Sequence, residues 1–313
     1  MKRKLLLSVF VFVLGLSLVC SGAFAAAKKG KIKLAYPSPY VGQEFWSEVK
    51  RGIEETAASM PNVEMTVVTS HEDATTQMSQ VESFIAAKVD AILLAPTDFT
   101  ALTPAVEEAN KAKIPVIGVD AATAGGKLET LVASNNISVG KAAGEYIAKA
   151  LGGKGKVILG DYSRHSSCRA RSDGFREALK KYPGIKIIHT LDVKLMPETT
   201  DQAENVLTAF PDFDAYFSCA DVISVPFYKV AKERGRGEKI IFVGVDASDD
   251  GLAAVEEGLG YRATIAQQPY LMGKMAVEAA IKVLNGQKLE KFTEVPVILV
   301  TKDNLEKFRS EKP

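Results

Sequence analysis

Polar side chains recur at the carboxyl ends of the apolar segments that the sequence predicts as buried strands. Such groups can exchange hydrogen bonds with a small polar ligand, and open α/β sheets bind ligands beyond the carboxyl ends of their strands. Polar residues also occur in ordinary solvated loops, but their recurrence in both halves of the chain favours a binding site. The residues at these strand ends are Ser38, Thr97 with Asp98, Asp120, Asp161, Asp221, Asp246 and Gln267.

Motifs for catalysis are weak. The histidines, His71, His165 and His189, are scattered without the spacing of a zinc site, and we expect them on the surface or in loops. Residues 258–263 match a dinucleotide-binding glycine pattern but follow a predicted helix and precede a strand, the reverse of the required order. Residues 152–156 lack the serine or threonine of a phosphate-binding loop. We therefore expect no enzymatic activity, no cofactor and no bound metal.

The composition indicates an ordinary folded protein. The 313 residues include 39 basic and 38 acidic side chains, for a net charge of +1, and 47% of the residues are hydrophobic. Ordinary hydrophobicity with little net charge excludes a globally disordered chain. The near-neutral net charge also does not indicate a nucleic-acid-binding protein. Three cysteines in this length exclude a small disulfide-dense fold.

The N-terminus has the pattern of a secretory signal peptide over residues 1–25. Lys2-Arg3-Lys4 precede an apolar run to Cys20, and Ala23-Phe24-Ala25 offers a cleavage site. The run is shorter than the ~20 residues needed to span a bilayer, which disfavours a permanent anchor. A lipoprotein signal at Cys20 is the alternative, although Val19 is large for such a site. We expect a soluble mature protein, periplasmic or otherwise extracytoplasmic, without stable membrane insertion.

The remaining chain alternates strands and helices twice over. Helix 44–60, for example, places Phe45, Val49 and Ile53 on one face. This order predicts an α/β fold with two doubly wound parallel-sheet lobes. The predicted strands cover residues 32–36, 63–68, 90–95, 115–120, 131–133, 156–160, 185–189, 215–218, 240–246, 262–267 and 295–300.

Seven short motifs follow one another along the chain after its N-terminal segment. They are Phe45-Trp46, Ala95-Pro96-Thr97-Asp98, residues 114–120, Ser134-Asn135-Asn136, residues 171–175, Gly244-Val245-Asp246 and Thr264-Ile265-Ala266-Gln267. In this order and spacing they resemble the periplasmic sugar-binding proteins of the ribose-binding type, which serve ABC importers. The likeness extends over nearly the whole mature chain.

The resemblance implies a fold of two lobes that three hinge crossovers join and that closes on its ligand. The N-terminal lobe would comprise residues 31–133 plus 268–294. The C-terminal lobe would comprise residues 134–267 plus 295–313. The hinge would lie near Asn135, Gln267 and Pro296.

In this family aromatic rings stack on the sugar, while carboxylates, amides and an arginine bind its hydroxyls. Charged groups form the stronger hydrogen bonds, which suits such a site. The implied ligand-binding residues are Gln43, Phe45, Trp46, Asp120, Arg171, Asp246 and Gln267, with Tyr40 and Asn136 as further candidates. Arg171 falls in the first turn of predicted helix 168–181, where the helix dipole disfavours a cation, so we expect a polar or negative group beside it.

Two positions depart from the family pattern. Ala121 stands where an arginine usually follows the aspartate, and Ala220 stands where an asparagine is often found. The polar loop 161–165 could supply replacements. These departures argue against ribose itself, and the ligand stays open among another pentose, a hexose, a polyol and a sugar acid matched by Arg171.

Cys168 and Cys219 are the cysteines that remain after cleavage of the signal peptide. We expect both near the carboxyl ends of neighbouring strands, close to the cleft. In an oxidising compartment they could form a disulfide, although their separation cannot be read from the sequence.

The leading interpretation is a monomeric solute-binding protein that captures a small polyhydroxylated ligand and delivers it to an ABC permease. The main alternative to delivery is that the ligand-loaded protein docks to a chemoreceptor or sensor kinase. A sugar-responsive transcription regulator would carry an N-terminal helix-turn-helix in place of the signal sequence, so we expect no nucleic-acid partner. An exported enzyme of α/β fold would need the motifs that are weak here.

Overall fold

Two six-stranded sheets with helices packed on them form the fold in this computed structural model, which describes residues 30–40, 42–193, 195 and 198–311. The predicted signal peptide, 1–25, lies outside the described residues. The architecture confirms the predicted fold class, because the helices alternate with the strands and all but one of the strand pairings are parallel.

The first sheet has the strand order β11-β5-β4-β3-β1-β2, and its paired strands are all parallel. Strands β3 and β4 are buried along their whole length, as expected for apolar strands covered on both faces. The elements of this lobe are β1 (Ile32–Ser38), α1 (Glu44–Ala58), β2 (Val63–Thr69), α2 (Ala74–Ala86), β3 (Ala91–Leu94), α3 (Thr103–Lys111), β4 (Val116–Val119), β5 (Thr130–Ser134), α9 (Pro269–Leu284) and β11 (Phe292–Val295).

The second sheet has the strand order β12-β10-β9-β8-β6-β7, in which only β12 runs antiparallel to its neighbour among the described pairings. Its elements are α4 (Asn136–Ala150), β6 (Lys154–Asp161), α5 (Ser166–Leu179), β7 (Gly184–Asp192), α6 (Glu198–Ala209), β8 (Ala215–Ser218), α7 (Asp221–Glu233), β9 (Ile241–Asp246), α8 (Asp249–Glu257), β10 (Tyr261–Ala266), β12 (Ile298–Thr301) and α10 (Leu305–Glu311).

The end of the chain differs from the sequence prediction. The single strand predicted over 295–300 is wrong, because β11 belongs to the first sheet and β12 to the second. Pro296 lies between them and has no N–H to donate to a ladder, so neither strand continues through it. Helix α10 was also not predicted from the sequence.

The chain crosses between the sheets after β5, after β10 and between β11 and β12. Asn135 caps α4 at the first crossing, where its side chain accepts a hydrogen bond from the N–H of Ser138. The amide of Gln268 donates to the carbonyl of Pro296 at 3.0 Å and ties the second crossing to the third. Within the part of the chain described, no helix has the length and apolarity needed to cross a membrane.

Candidate ligand-binding cleft

The carboxyl ends of the two sheets face each other, and Asp120 joins them. Asp120 follows β4 of the first sheet, while Ser167 and Arg171 lie on α5, which follows β6 of the second. The Ser167 hydroxyl donates to Asp120 Oδ2 at 3.1 Å, and Arg171 Nη2 lies 3.8 Å from Asp120 Oδ1. Residues predicted at strand ends in different lobes thus meet at one place.

Arg171 is the central cation of this cleft and is 2% exposed. Its Nε donates to Asn136 Oδ1 at 2.7 Å, and its Nη1 donates to the Cys219 carbonyl at 2.6 Å. Nη1 also lies 3.9 Å from Asp246 Oδ1, so the guanidinium lies between a carboxylate of each lobe. These bonds hold the arginine in a fixed orientation. A side chain that recognises ligand hydroxyl groups by hydrogen bonds requires such an orientation.

The dipole argument for Arg171 does not hold in the structure. Helix α5 begins at Ser166, two residues earlier than the sequence predicts, so Arg171 lies in its second turn. The N-terminal dipole acts mainly on the first turn. The expected negative groups are nevertheless present as Asp120 and Asp246.

Both site aspartates adopt unusual backbone conformations. Asp120 has φ 61°, and Asp246 has φ 112° and is followed by Ala247 at φ 52°. Non-glycine residues seldom occupy this region, and local strain of this kind clusters at ligand sites. The turns after β4 and β9 therefore hold two carboxylates in a geometry that ordinary strand ends do not need.

The carboxyl group of Asp246 is 15% exposed. Burial raises the pKa of Asp246 to about 8, even though Arg171 opposes the shift by favouring the ionised form. The amide of Gln267 donates to Asp246 Oδ1 at 2.7 Å. The cleft thus already resists a second negative charge beside Asp120.

Several polar atoms in the cleft lack a hydrogen-bond partner among the described residues. They include Asp120 Oδ1, Gln267 Oε1 and His165 Nε2. Buried polar atoms without partners are unfavourable, and each in a native protein calls for an explanation. Hydroxyl groups of a ligand would supply the missing partners.

The aromatic residues of α1 form the other wall. Trp46 is buried and its ring meets that of Phe45 edge to face at 4.8 Å. The sequence predicts Phe45 on the buried face of the helix, whereas Trp46 occupies it and Phe45 is only half-buried. Phe45 is therefore the more accessible ring. Tyr40 meets His71 edge to face at 6.4 Å.

A cavity of about 700 Å³ opens beside these residues, between the N-terminus of α1 and helices α7 and α8. Gln43, Phe45, Asp246 and Gln267 line it. Trp46, Asp120 and Arg171 are not part of its described lining, and Asp120 and Arg171 instead connect the lobes through direct contacts. The predicted site residues thus divide between an accessible cavity and a closed junction.

The rims of the two lobes touch. The N–H of Phe99 donates to the Arg164 carbonyl at 2.8 Å, and the Ser166 hydroxyl exchanges hydrogen bonds with the backbone of Ala122. On another rim the N–H of Asp249 donates to Glu44 Oε2 at 2.9 Å. The structure therefore has the lobes in contact, and a ligand would enter the junction only after they separate.

His165 lies in a loop, as the sequence predicts, but it is not on the surface. It directly precedes α5 and is 6% exposed. It stacks on Tyr162 at 5.5 Å, and its ring lies 6.2 Å from that of Trp46 in the opposite lobe. The only sequence signal was the polar loop 161–165, which contains both residues.

Asp221 has a structural role. It is buried and accepts hydrogen bonds from the Tyr261 hydroxyl at 2.7 Å, the Thr264 hydroxyl at 2.9 Å and the N–H of Ser248 at 3.0 Å. Burial raises the pKa of Asp221 to about 6, with these hydrogen bonds opposing the shift. Its position at a strand end did not distinguish it from Asp246.

Cys168 and Cys219 belong to one buried cluster with Tyr162 and are both free thiols in the structure. Cys168 lies in the first turn of α5 and Cys219 follows β8. Their pairing stays a prediction for the oxidised protein. Among the described residues, no group of three or more His, Cys, Asp or Glu side chains could hold a metal ion.

Comparisons with known proteins identify the family and the fold. The profile of the periplasmic binding protein domain matches residues 34–288. The ribose import binding protein of Bacillus subtilis is 34% identical over 258 residues, covering 82% of this chain and 83% of the relative. The xylitol-binding protein of Mycolicibacterium smegmatis is 29% identical, covering 93% and 84%. An ABC transporter solute-binding protein from Bacillus halodurans, solved with bound myo-inositol, has a TM-score of 0.84 and 26% identity, covering 90% and 99%.

Proposed function

The chain belongs to the periplasmic binding protein family, and from that premise we propose that it captures a small neutral sugar or polyol and delivers it to an ABC permease. This family consists of substrate-binding proteins, and we propose that this member likewise performs no covalent chemistry. We further propose that it acts as a soluble monomer outside the cytoplasm after removal of residues 1–25.

The observation that carries the proposal is the buried Arg171, which lies between Asp120 of one lobe and Asp246 of the other. Carboxylates, a guanidinium and the Gln267 amide offer both donors and acceptors, as hydroxyl groups require. The half-buried ring of Phe45 offers a face for the apolar C–H side of a sugar or cyclitol. A ribose importer protein and a xylitol-binding protein among the relatives support this ligand class.

The charges favour a neutral ligand over a sugar acid. Arg171 Nη2 already lies 3.8 Å from Asp120 Oδ1, so its charge is matched before a ligand carboxylate arrives. The raised pKa of Asp246, caused mainly by burial, indicates that even the protein's own second carboxylate ionises with difficulty here. A sugar acid would add another negative charge to the same space.

Binding would shift the population between open and closed lobes. The rim contacts of Arg164, Ser166 and Asp249 are those that a closed form makes. The ligand would add its own bonds to both walls, and the permease would receive the closed form. A chemoreceptor or sensor kinase that reads the same closure is the alternative output.

A thermal-shift screen of the mature protein tests the ligand class. The panel pairs neutral compounds, such as D-ribose, xylitol and myo-inositol, with sugar acids, such as D-gluconate and D-galacturonate. At 100 times its Kd, a ligand adds about 2.7 kcal/mol to the free energy of unfolding. We expect one or more neutral compounds to raise the Tm and the acids to have no effect. A panel without any shift would exclude the proposed function.

A further inference from the structure

We propose that Cys168 and Cys219 form a disulfide in the mature protein and that this bond holds Arg171 in its ligand-binding orientation. The inference rests on the proposed function, because it needs the oxidising environment outside the cytoplasm and a ligand that Arg171 contacts. It extends that function to two positioning residues, which act through the arginine rather than on the ligand.

The two cysteines lie where two elements of the second lobe meet beside the cleft. Cys168 is in the first turn of α5, and Cys219 comes directly after β8. They are 6% and 0% exposed and belong to a buried cluster with Tyr162, Val193 and Ile223. The Cys168 thiol donates a hydrogen bond to the Cys219 side chain. The two sulfur atoms are therefore already neighbours, and a short approach brings them to the ~2 Å of a disulfide.

Both cysteines are connected to Arg171. Cys168 lies one turn before it on α5, and the Cys219 carbonyl accepts a hydrogen bond from Arg171 Nη1 at 2.6 Å. Ser167, next to Cys168, donates to Asp120 of the first lobe at 3.1 Å. A covalent bond between the sulfurs would fix the start of α5 relative to the Cys219 backbone. It would thereby fix the guanidinium relative to its carbonyl acceptor.

The benefit of such a bond is preorganisation of the arginine. A long side chain loses rotamer freedom when a ligand orders it, and this loss weakens binding. Noncovalent contacts alone permit small displacements of α5 against the segment after β8. With the disulfide in place, Arg171 is ordered before the ligand arrives, so the oxidised protein should bind more tightly than the reduced one.

The bond forms by exchange with an external disulfide, such as that of a thiol–disulfide oxidoreductase or of oxidised glutathione. One cysteine thiolate attacks that disulfide, which gives a mixed disulfide and releases one thiol. The other thiolate attacks the mixed disulfide and releases the second thiol. Two electrons pass to the external disulfide, and the two protons of Cys168 and Cys219 end on the released thiols.

The folded, reduced protein should undergo this exchange slowly. The hydrogen bond to Cys219 and burial raise the pKa of the Cys168 thiol well above its usual value, although the nearby Arg171 favours the thiolate. A buried thiol with a raised pKa is a poor nucleophile. We therefore expect the disulfide to form while the chain folds.

The test compares the mature protein, secreted through an oxidising compartment, with Cys168→Ser, Cys219→Ser and wild type refolded in reductant. Alkylation without reductant, followed by mass spectrometry, should find no free thiol in the secreted wild type. Calorimetric titration with D-ribose, xylitol and myo-inositol should show about threefold to tenfold weaker binding by the other three proteins, as expected when the ligand has to order one side chain.

Ile223→Val is the matched control for packing. It disturbs the same buried cluster but keeps both cysteines. The variant should therefore lose stability and retain wild-type affinity. A disulfide that only stabilised the fold would give the cysteine variants this same behaviour.

The Nε–H proton of Arg171 gives a readout that needs no ligand. Nε donates to Asn136 Oδ1 at 2.7 Å, so the exchange of this proton with solvent reports how firmly the guanidinium is held. We expect faster exchange in Cys219→Ser and in the reduced wild type than in the oxidised protein. The rate in Ile223→Val should equal that of the oxidised wild type.

The outcomes separate the two proposals. Two free thiols in the secreted wild type would overturn the inference. Equal affinity of the oxidised and reduced proteins for a bound probe, or equal exchange of the Arg171 proton, would also overturn it, while the proposed function stands. If no probe binds to any of the proteins, the proposed function is wrong, and the proton exchange still decides whether the disulfide positions the arginine.

Discussion

The two walls of the cleft differ in chemistry. The wall from the first lobe presents aromatic rings, Phe45 and Trp46, with Asp120 as its buried carboxylate. The wall from the second lobe presents Arg171, Asp246 and His165, which are polar or charged groups held by neighbouring side chains and backbone. Rings tolerate many ligands that offer an apolar face, whereas hydrogen-bonding groups distinguish one hydroxyl pattern from another. We infer that the first lobe provides general affinity and the second provides selectivity.

The largest expected effect comes from Arg171→Gln in the second wall. Removal of the guanidinium leaves Asp120 buried without its cation, which should lower the free energy of unfolding by about 4 kcal/mol. Sugar or polyol binding should be lost as well. Chemical denaturation and calorimetry measure both quantities. Arg176→Gln, on the same helix, is the control, and equal losses in both variants would contradict the central place given to Arg171.

Asp246→Asn should have the next largest effect, and its sign depends on pH. Burial raises the pKa of Asp246 to about 8, so between pH 4 and pH 8 the native protein keeps a proton that the unfolded chain has released. The wild-type protein therefore loses stability as the pH rises through this window, and asparagine removes that loss. At pH 8 the unliganded variant should be more stable than wild type, with little gain at pH 4.

Thermal melts of both proteins from pH 4 to pH 9 measure this difference. Asparagine tolerates the positive φ of Asp246 better than alanine does, so the backbone should stay in place. A constant difference between variant and wild type across the range would mean that Asp246 is ionised throughout.

Phe45→Leu tests the ring wall with a smaller effect. Loss of the ring should weaken every neutral ligand to a similar extent, by about tenfold or ~1.4 kcal/mol, because the stack does not read hydroxyl positions. Calorimetry with the probes that wild type binds gives the ratios. Phe292→Leu is the control, since that ring is 40% exposed at the edge strand β11. If the substitution changes the order of affinities among the probes, the first lobe also contributes to selectivity and the division between the two walls is wrong.

The smallest effect should come from the rim. Arg164→Gln removes an ion pair in which the arginine Nε lies 3.5 Å from Asp98 Oδ2, but it keeps the backbone bond from Phe99 N–H to the residue 164 carbonyl. Exposed pairs of this kind contribute about 0–1 kcal/mol and are screened by salt. Affinity should fall by less than about fivefold at low salt and still less at high salt. A loss that persists in high salt would point to a direct ligand contact.

The sequence predicted most of the architecture because the fold depends on repeated local signals. Buried strands such as β3 appear as apolar runs, and each is followed by a helix with amphipathic spacing. The two short strands at the end of the chain were predicted as one because residues 295–300 form one apolar run, while Pro296 divides it between two sheets. Strand periodicity does not record which sheet a strand joins.

The site was only partly predictable for a related reason. Asp221 and Asp246 both end or follow a strand, and only tertiary contacts make one a buried structural acceptor and the other a partner of Arg171. His165 is a loop residue, as predicted, but the tertiary contacts around it, such as that with Trp46 of the opposite lobe, cannot be read from the sequence. The positive φ of Asp120 and Asp246 also arises from the folded turns, and the residue types at these positions do not predict it.

The central claim is that the two walls together hold one neutral polyhydroxylated ligand. Calorimetric titration of the mature protein with a matched pair, D-galactose and D-galacturonate, alongside D-ribose, xylitol and myo-inositol, tests it most directly. The account predicts saturable binding with one site for at least one neutral compound and no binding of the acid. Preferential binding of the acid, or no binding of any neutral compound, would contradict it.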